Sequence, residues 1–292
     1  MIIVSMGCGL GNQMFEFAFF TKMQKVYGRS ALLVDTNYAF PFAHNGIELF
    51  DIFNINPPIA TYDKVKSLTK YYPLLGDKNG NAIIAKLVRK LGIKPTSLIV
   101  QNDYTKYYPS FFELDSSNSY YIYGVFANYH YFKEIEEDIK NLYIFPKIED
   151  NLNLSYKNRI ESCHSVSIHI RRGDYISENI ETVSEEYYFK AMEQIEKIHT
   201  NVVYFIFTDD LQYAKNIFVD KAKYVIVQGN NGKNSYRDMQ LMSMCKDNII
   251  ANSTFSFWGA FLNNNPNKLV IAPNLPFTGC ECSFKCDDWM VI

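Results

Sequence analysis

Residues 166–175 read Val-Ser-Ile-His-Ile-Arg-Arg-Gly-Asp-Tyr, an apolar run that stops at a pair of arginines. The alternation of Val166, Ile168 and Ile170 predicts a strand of a buried sheet, with His169 on its opposite face. The two arginines would then stand at the carboxyl end of that strand. This is the edge where open α/β sheets bind their ligands, so the stretch predicts both a fold class and the place of a site.

Three further polar stretches follow apolar runs in the same way. They are Gly7-Cys8-Gly9-Leu10-Gly11-Asn12-Gln13, Thr208-Asp209-Asp210 and Asn252-Ser253-Thr254-Phe255-Ser256. Because each stretch follows a strand pattern, we expect all four to lie at the carboxyl ends of parallel strands. Paired arginines, vicinal aspartates, a hydroxyl-rich turn and a glycine turn together suit a ligand such as a nucleotide-sugar.

Strand and helix patterns alternate along the chain, which is typical of parallel sheets covered by helices on both faces. The alternation predicts an α/β protein with two domains, 1–155 and 156–292. In the first domain the expected strands are 2–5, 31–34 and 120–126, and the expected helices are 12–27, 82–91 and 131–143. In the second domain the expected strands are 166–170, 202–207, 224–227, 248–251 and 269–272, and the expected helices are 188–198, 211–218, 235–245 and 255–263.

Composition narrows the class of protein. The 292 residues include 29 basic and 31 acidic ones, a net charge of −2, so no overall field favours nucleic acid or an anionic membrane. Polar residues interrupt the apolar first twenty positions and no small-residue cleavage site follows, so we expect no transmembrane segment and a cytoplasmic location. The six cysteines do not form a disulfide framework. Cys280-x-Cys282-x3-Cys286 is compatible either with a metal site or with plain thiols.

The glycine turn has two interpretations. Gly7-x-Gly9-x-x-Asn12 nearly matches a dinucleotide-binding fingerprint, and Asp35 stands where a ribose-binding acid would close the next strand. An NAD-dependent oxidoreductase is therefore an alternative, although Asn12 replaces the third glycine. A tight turn that needs glycine only for its backbone geometry is the other reading.

The remaining motifs also allow a structural reading beside a functional one. Arg171 and Arg172 would hold phosphate oxygens through paired hydrogen bonds, or one of them would form an ion pair with Asp174. Asp209 and Asp210 would bind a guanine edge or ribose hydroxyls, or cap a helix. Residues 252–256 would dock a pyrophosphate at a helix start, or only cap that helix. No Asp-x-Asp motif for a diphosphate-bound metal is present.

Taken together, the motifs resemble those of the bacterial α-1,2-fucosyltransferases of glycosyltransferase family 11, which also holds the human blood-group H enzymes. The family carries Gly-Gly-Leu-Gly-Asn-Gln, matched at residues 8–13 with cysteine in the first position. It also carries His-x-Arg-Arg-Gly-Asp-Tyr, matched at 169–175, a Ser/Thr-Asp-Asp, matched at 208–210, and Asn-Ser-Thr-Phe-Ser-x-Trp-Gly-Ala, matched at 252–260. Residues 36–160 and the cysteine-bearing tail lack motifs of this kind.

The resemblance implies a GT-B-like fold of two Rossmann-like α/β domains with a cleft between them. It implies transfer of L-fucose from GDP-β-L-fucose, with inversion, to a galactose hydroxyl of an oligosaccharide, free or lipid-linked. It implies no metal and no cofactor, and the location would be cytoplasmic or peripheral at the inner membrane. The domain 156–292 would bind GDP-fucose, and the domain 1–155 would form the acceptor side.

The resemblance also implies individual roles. Arg171 would hold the β-phosphate with Arg172 beside it, and His169 with Asp209 or Asp210 would bind guanine or ribose. The expected lining of the diphosphate and nucleoside is Asn252, Ser253, Thr254, Phe255 and Ser256. The facing loop would be Gly9, Gly11, Asn12 and Gln13. Candidates for the group that receives the acceptor proton are Asp174, Glu178, His169 and Asn12. A glycan- or nucleotide-binding module without catalysis is the alternative from another class.

Overall fold

The computed structural model describes residues 1–37, 45–70, 72, 87–88, 90–92 and 94–292. These residues form two compact units, Met1–Ile144 and Phe145–Ile292. Each unit is a parallel α/β sheet with helices, as the alternation of patterns predicts. The boundary lies eleven residues before the one expected at 155/156, and the expected position falls inside a helix, Asn151–Glu161.

The first unit is built on a four-stranded parallel sheet of order β2-β1-β4-β3. Its strands are β1 Ile2–Ser5, β2 Leu32–Asp35, β3 Leu98–Val100 and β4 Tyr120–Tyr123. Its helices are α1 Leu10–Tyr27, α2 Leu49–Phe53, α3 Tyr62–Thr69 and α4 Glu136–Leu142. The aromatic residues of α1 fill the core, where the Phe19 and Phe126 rings stack at 3.9 Å between centroids.

The second unit is built on a six-stranded parallel sheet of order β10-β9-β8-β5-β6-β7. Its strands are β5 His164–Ile170, β6 Val202–Thr208, β7 Tyr224–Ile226, β8 Asp247–Ile249, β9 Val270–Ala272 and β10 Met290–Val291. Its helices are α5 Asn151–Glu161, α6 Gly173–Ser177, α7 Glu185–Glu196, α8 Leu211–Ile217, α9 Tyr236–Met244 and α10 Thr254–Phe261.

Strand β5 lies near the centre of the second sheet and determines where the site is. Ile168 pairs with Ile206 on one side and with Ile249 on the other. Six of the seven β5 residues are buried, on both faces of the strand, because helices cover the sheet above and below. The polar residues that follow Ile170 are therefore delivered to the carboxyl edge of the sheet.

Several predicted boundaries differ from the observed ones. Strand β4 ends at Tyr123 instead of residue 126, because Gly124 packs closely against the Gln101 side chain and Phe126 has a left-handed φ of 54°. The expected helix 131–143 begins with short 3₁₀ turns and is α-helical only from Glu136. The expected helix 188–198 ends at Glu196, which leaves Ile198 62% exposed. Most of the expected helix 82–91 lies outside the described residues.

Among the described residues, no helix has both the length and the apolar character needed to cross a bilayer.

Helix α1 contains a buried carboxyl group, Glu16, which is fully shielded from solvent. Its Oε2 accepts a hydrogen bond from the Gly7 backbone N–H at 2.8 Å, and its Oε1 is buried with no hydrogen-bond partner. Burial raises the pKa of Glu16 well above its ordinary value of 4.5. Burial therefore favours the protonated form of this side chain, and its hydrogen bond to Gly7 supports the glycine turn.

Glu16→Gln is expected to remove a pH-dependent loss of stability. Above pH 4.5 the unfolded chain releases this proton while the folded chain keeps it, so the free energy of unfolding falls as pH rises, by about 1.4 kcal/mol per pH unit, until the raised pKa is reached. Glutamine keeps the acceptor for Gly7 but has no proton to lose. Denaturant titrations should give the variant the stability of wild type at pH 4 and a greater stability at pH 8.

The matched control is Glu134→Gln, whose side chain is 79% exposed and paired with Lys22. Lys22 lowers the pKa of Glu134, so this variant should be neutral or slightly less stable at pH 8. Equal pH profiles for Glu16→Gln and wild type would contradict the assignment of a protonated Glu16.

Candidate active site

Two arginines stand directly after β5, and both are held by carboxylates. The Arg171 guanidinium lies between two acids, with Nη2 2.6 Å from Asp174 Oδ2 and Nη1 3.1 Å from Asp209 Oδ2. Arg172 Nε is 3.2 Å from Asp210 Oδ2, and its guanidinium lies 3.7 Å from the centre of the Tyr213 ring. The ion pair with Asp174 that was expected for one arginine is formed by Arg171, and Arg172 pairs with Asp210 instead.

The ion pairs do not exhaust the arginines as donors. A guanidinium carries five N–H groups, and the Arg171 pairs engage one nitrogen for each acid. Both side chains are about a quarter exposed, at 26% for Arg171 and 23% for Arg172. The carboxylates thus hold the forks in place while N–H groups stay available to an anion at the edge of the sheet.

The two aspartates after β6, Asp209 and Asp210, make different contacts. Asp210 caps α8, because its Oδ1 accepts from the Tyr213 N–H at 3.0 Å. Asp209 turns toward β5, where Oδ1 accepts from the Arg172 backbone N–H at 2.8 Å. A Cβ atom on Gly173 would lie 3.1 Å from Asp209 Oδ2. The glycine after the arginine pair therefore lets the Asp209 carboxylate approach the chain closely.

Residues 252–256 form the start of α10. Ser253 Oγ accepts from the Phe255 N–H at 3.3 Å, so the capping reading is correct for this residue. Thr254 and Phe255 are partly exposed beside it. Ser256 is buried, and its Oγ accepts from the Ala251 N–H and contacts backbone carbonyls, so it supports the turn from inside.

Tyr175 connects the arginines to the start of α10. Its ring centre lies 5.5 Å from the Arg171 guanidinium carbon, and its hydroxyl donates to the Asn252 carbonyl at 3.0 Å. Burial raises the pKa of Tyr175 to about 12, so the hydroxyl keeps its proton and remains a donor. The sequence motif includes Tyr175, but no strand or helix pattern indicates this bridging role.

His169 is a buried neutral imidazole next to the same edge. Its ring centre is 5.7 Å from that of Phe255, and the side chain is 6% exposed. Burial, and secondarily the charge of Arg171, lower its pKa to about 3. A histidine with this pKa is neutral at physiological pH and is a poor acceptor of a proton from a substrate hydroxyl.

Three polar atoms at this edge are buried without a hydrogen-bond partner: His169 Nδ1, Asp174 Oδ1 and Asn252 Oδ1. Asn252 is nonetheless fixed, because its Nδ2 donates to the Glu181 carbonyl at 2.8 Å. Unpaired buried polar atoms are rare in folded proteins and often mark functional sites. All three atoms belong to residues at or just beyond the carboxyl ends of β5 and β8, the edge where Arg171 stands.

The glycine turn of the first unit leads from β1 into α1. Gly9 caps α1, and Gly11 is buried in its first turn. Gln13 is fully buried, and its side-chain amide uses all four of its hydrogen-bonding positions. Its Nε2 donates to the Cys8 and Gly46 carbonyls, and its Oε1 accepts from the Glu48 and Leu49 N–H groups at the start of α2. Asn12 is partly exposed, with its side chain hydrogen-bonded to Cys8.

The acid expected of a dinucleotide site is enclosed in the core. Asp35 ends β2 with no solvent exposure, and its Oδ2 accepts from the Tyr121 hydroxyl at 2.5 Å while Oδ1 accepts from the Asn37 N–H at 3.0 Å. A ribose could not reach this carboxylate without displacing the Tyr121 bond. The structure therefore gives the oxidoreductase alternative no support at the residue it depends on.

The sequence and the fold together define a glycosyltransferase. The chain belongs to glycosyl transferase family 11, whose sequence profile matches residues 1–292. This confirms the family expected from the motifs.

Known relatives agree with this assignment. The chain is 32% identical to the O-antigen biosynthesis glycosyltransferase WbnK of Escherichia coli, over 97% of both chains. It is 30% identical to an alpha-1,2-colitosyltransferase of Escherichia coli, over 93% of this chain and 91% of the relative. Among solved structures it resembles POFUT1 in complex with GDP, with a TM-score of 0.50 and 13% identity over 93% of this chain and 97% of that one. The likeness confirms the expected GT-B-like fold.

Cys8 is strained in a way that the family pattern explains. It occupies the position of the family's first glycine and has a left-handed φ of 61°. Burial, followed by the nearby Glu16, raises its pKa to about 12, so the thiol is protonated and unreactive.

Cys8→Gly should raise the free energy of unfolding by about 1 kcal/mol relative to Cys8→Ala, which removes the sulfur but keeps the strain.

Denaturant unfolding of the two variants measures this difference directly. Equal stabilities of Cys8→Gly and Cys8→Ala would show that the turn carries no backbone strain at this position.

Proposed function

We propose that this chain is an inverting galactoside α-1,2-fucosyltransferase, which moves L-fucose from GDP-β-L-fucose to the 2-hydroxyl of a terminal galactose of an oligosaccharide. One observation carries the proposal: Arg171, bridged by Tyr175 to the start of α10, stands among buried polar atoms that lack partners. Guanidinium forks and helix-start N–H groups are the donors that a diphosphate requires.

The donor sugar-nucleotide is assigned to the second unit. Arg171 holds the β-phosphate through N–H groups not engaged by Asp174 and Asp209, and Arg172 lies beside it. The hydroxyls of Ser253 and Thr254, at the start of α10, supply further donors. Ser256 acts indirectly, since its hydroxyl is committed to the backbone behind the turn.

The nucleoside is assigned to the residues around the unpaired imidazole nitrogen. Neutral His169 offers Nδ1 to a guanine or ribose group, either as donor or as acceptor according to its tautomer. One of Asp209 and Asp210 is assigned to the same task; in each residue one oxygen accepts from a backbone N–H and the other pairs with an arginine. The partly exposed Phe255 ring offers an apolar surface to the base.

The proposed reaction is a single displacement. The galactose oxygen forms a bond to fucose C1 on the face opposite the departing GDP, the bond between C1 and the phosphate oxygen breaks, and the configuration inverts. Positive charge spreads over C1 and the ring oxygen as negative charge builds on the diphosphate. The dominant catalytic contribution of the protein is stabilisation of that negative charge by Arg171 and its neighbouring donors.

The acceptor proton needs a destination. Asp174 is the acidic candidate: its Oδ2 is bound to Arg171, and its Oδ1 has no hydrogen-bond partner. Asn12 is the alternative suggested by the family resemblance, for a transition state in which the leaving group has largely departed. His169, with a pKa of about 3, and Glu178 are weaker candidates.

The remaining parts of the proposal concern the setting of the reaction. We assign the acceptor side to the first unit, with Gly9, Gly11, Asn12 and Gln13 as its loop. The acceptor is a galactose-terminated glycan of the surface-polysaccharide type, free or lipid-linked, in line with the O-antigen role named for a relative. The reaction is assigned to the cytoplasm or the inner-membrane surface, and needs neither cofactor nor metal, because arginines take the place of a cation on the diphosphate.

A second candidate donor is favoured by the colitosyltransferase relative. Colitose is L-fucose without its 3-hydroxyl, so one hydrogen-bonding group separates the two donors. A site built to bind that hydroxyl rejects the deoxy sugar strongly, because its own polar groups would be left unpaired. Initial rates with GDP-fucose and GDP-colitose on the same acceptor decide between them, and we expect the higher kcat/KM with GDP-fucose.

Ligand-induced stabilisation distinguishes the proposed class from the oxidoreductase. GDP should raise the melting temperature of the protein, by about RT ln(1 + [GDP]/Kd) in unfolding free energy, and NAD(H) should leave it unchanged. The measurement is a thermal shift titration with both nucleotides at equal concentrations. Stabilisation by NAD(H) alone would overturn the proposal. Release of GDP from GDP-fucose only when acceptor is present separates an enzyme from a binding module.

Arg171→Lys should lower kcat/KM at least tenfold, or about 1.4 kcal/mol, because lysine keeps the charge but loses the paired hydrogen bonds. The melting temperature should stay within about 2 °C of wild type, since the ion pairs are partly exposed. Arg159→Lys, at an exposed position of α5, is the matched control and should be silent. Full turnover by Arg171→Lys would remove the central role given to this residue.

A further inference from the structure

Two histidines and an aspartate meet at the amino end of the second sheet. His164 is the first residue of β5, Asp247 is the first residue of β8, and His199 lies in the turn after α7. This is the edge opposite the arginines. With about 3.3 Å per residue along the seven residues of β5, the cluster lies roughly 20 Å from Arg171.

The three side chains bring their possible ligand atoms close together. His164 Nε2 is 2.6 Å and His199 Nε2 is 3.7 Å from the same oxygen, Asp247 Oδ2. The two imidazole rings stack with 3.9 Å between their centres and 25° between their planes. All three ligand atoms lie within 4.8 Å of one another, and among the described residues this is the one group of three or more such side chains that could hold a metal ion.

The charges and the supporting contacts also suit a cation. The Asp247 side chain is 1% exposed, and its ion-pair partners among the described residues are these two histidines. Its second oxygen, Oδ1, accepts from the Leu269 N–H at 2.7 Å, which fixes the direction of the carboxylate. Such an outer contact is typical of metal-binding carboxylates. The histidines are 27% and 30% exposed, so an ion can enter from solvent.

We propose that His164, His199 and Asp247 form a zinc-binding site that ties the amino ends of β5 and β8 to the turn after α7. Two imidazole nitrogens and one carboxylate oxygen, with water in the fourth position, are a usual ligand set of zinc. Metal–ligand distances of about 2.0–2.2 Å place tetrahedral ligands about 3.3 Å apart. The two nitrogen–oxygen separations of 2.6 and 3.7 Å lie on either side of that value, and all three ligand atoms lie within 4.8 Å of one another.

The site lies at the amino edge, away from the arginines, so the role proposed for the ion is to stabilise the fold. The ion bridges two neighbouring strands of the sheet and the segment between α7 and β6, so it stabilises the folded unit by its binding free energy. It takes no part in the transfer reaction at the other edge. Chelation should therefore lower the melting temperature and leave kcat unchanged, which keeps this proposal independent of the assigned enzyme activity.

The test is a zinc titration of the 292-residue chain, in which binding is measured by calorimetry and stability by the melting temperature. Wild type should bind one zinc ion per chain and melt at a higher temperature with zinc than after chelation. His199→Gln, at a partly exposed position, should weaken zinc binding at least about tenfold and lose the zinc-dependent shift. His130→Gln replaces an exposed histidine outside the cluster and should bind zinc as wild type does.

The tail cysteines are the competing zinc ligands in this protein. Cys280 and Cys282 are both partly exposed. The double variant Cys280→Ser/Cys282→Ser should keep the zinc affinity and the zinc-dependent shift of wild type. Loss of binding in that double variant, equal affinity of His199→Gln and wild type, or no saturable binding by wild type would each overturn the proposal.

Discussion

The burial of β5 on both faces is the constraint on which the rest of the second unit depends. Its apolar residues are covered by helices above and below, and neighbouring strands pair with it on both sides. Ser165, Ser167 and His169 are buried within the strand as neutral polar groups, and charged side chains stand only at or beyond its ends. The charged groups next to β5 therefore lie at the two edges of the sheet, with arginines at the carboxyl edge and a histidine–aspartate cluster at the amino edge.

At the carboxyl edge, the same carboxylates that orient the arginines also compete for them. Three acids, Asp174, Asp209 and Asp210, surround two guanidinium groups. Ion pairs of this partly buried kind fix the side chains before a ligand arrives, which lowers the entropy lost on binding. In the donor site proposed above, an incoming diphosphate would meet acids as well as arginines. Its binding would depend on N–H groups that the acids leave unused, which would favour ligands of matching shape over simple anions.

The sequence was sufficient for the fold class and for much of the site. Strands 166–170 and 202–207 are long and strongly apolar, so their positions were predicted within two residues at either end. Helix caps at Asp210 and Ser253 also follow from residue type. Strand β3 and the end of β4 were not predictable, because they depend on tertiary contacts such as the close packing of Gln101 against Gly124.

The site shows the same division. The motifs identify the arginines and aspartates, but which acid caps a helix and which holds an arginine depends on contacts between residues 37 positions apart. The bridge through Tyr175 and the neutral state of His169 likewise arise from burial. The amino-edge cluster has no sequence signature at all, since His164, His199 and Asp247 are brought together only by the parallel pairing of the strands.

The bonds of Gln13 have a mechanical consequence for the first unit. One amide side chain joins the Cys8 carbonyl of the glycine turn to the Gly46 carbonyl and to the first N–H groups of α2. These hydrogen bonds fix the position of the turn relative to α2. Any displacement of the turn must move α2 with it or break several buried hydrogen bonds at once. The turn is therefore expected to be rigid relative to α2.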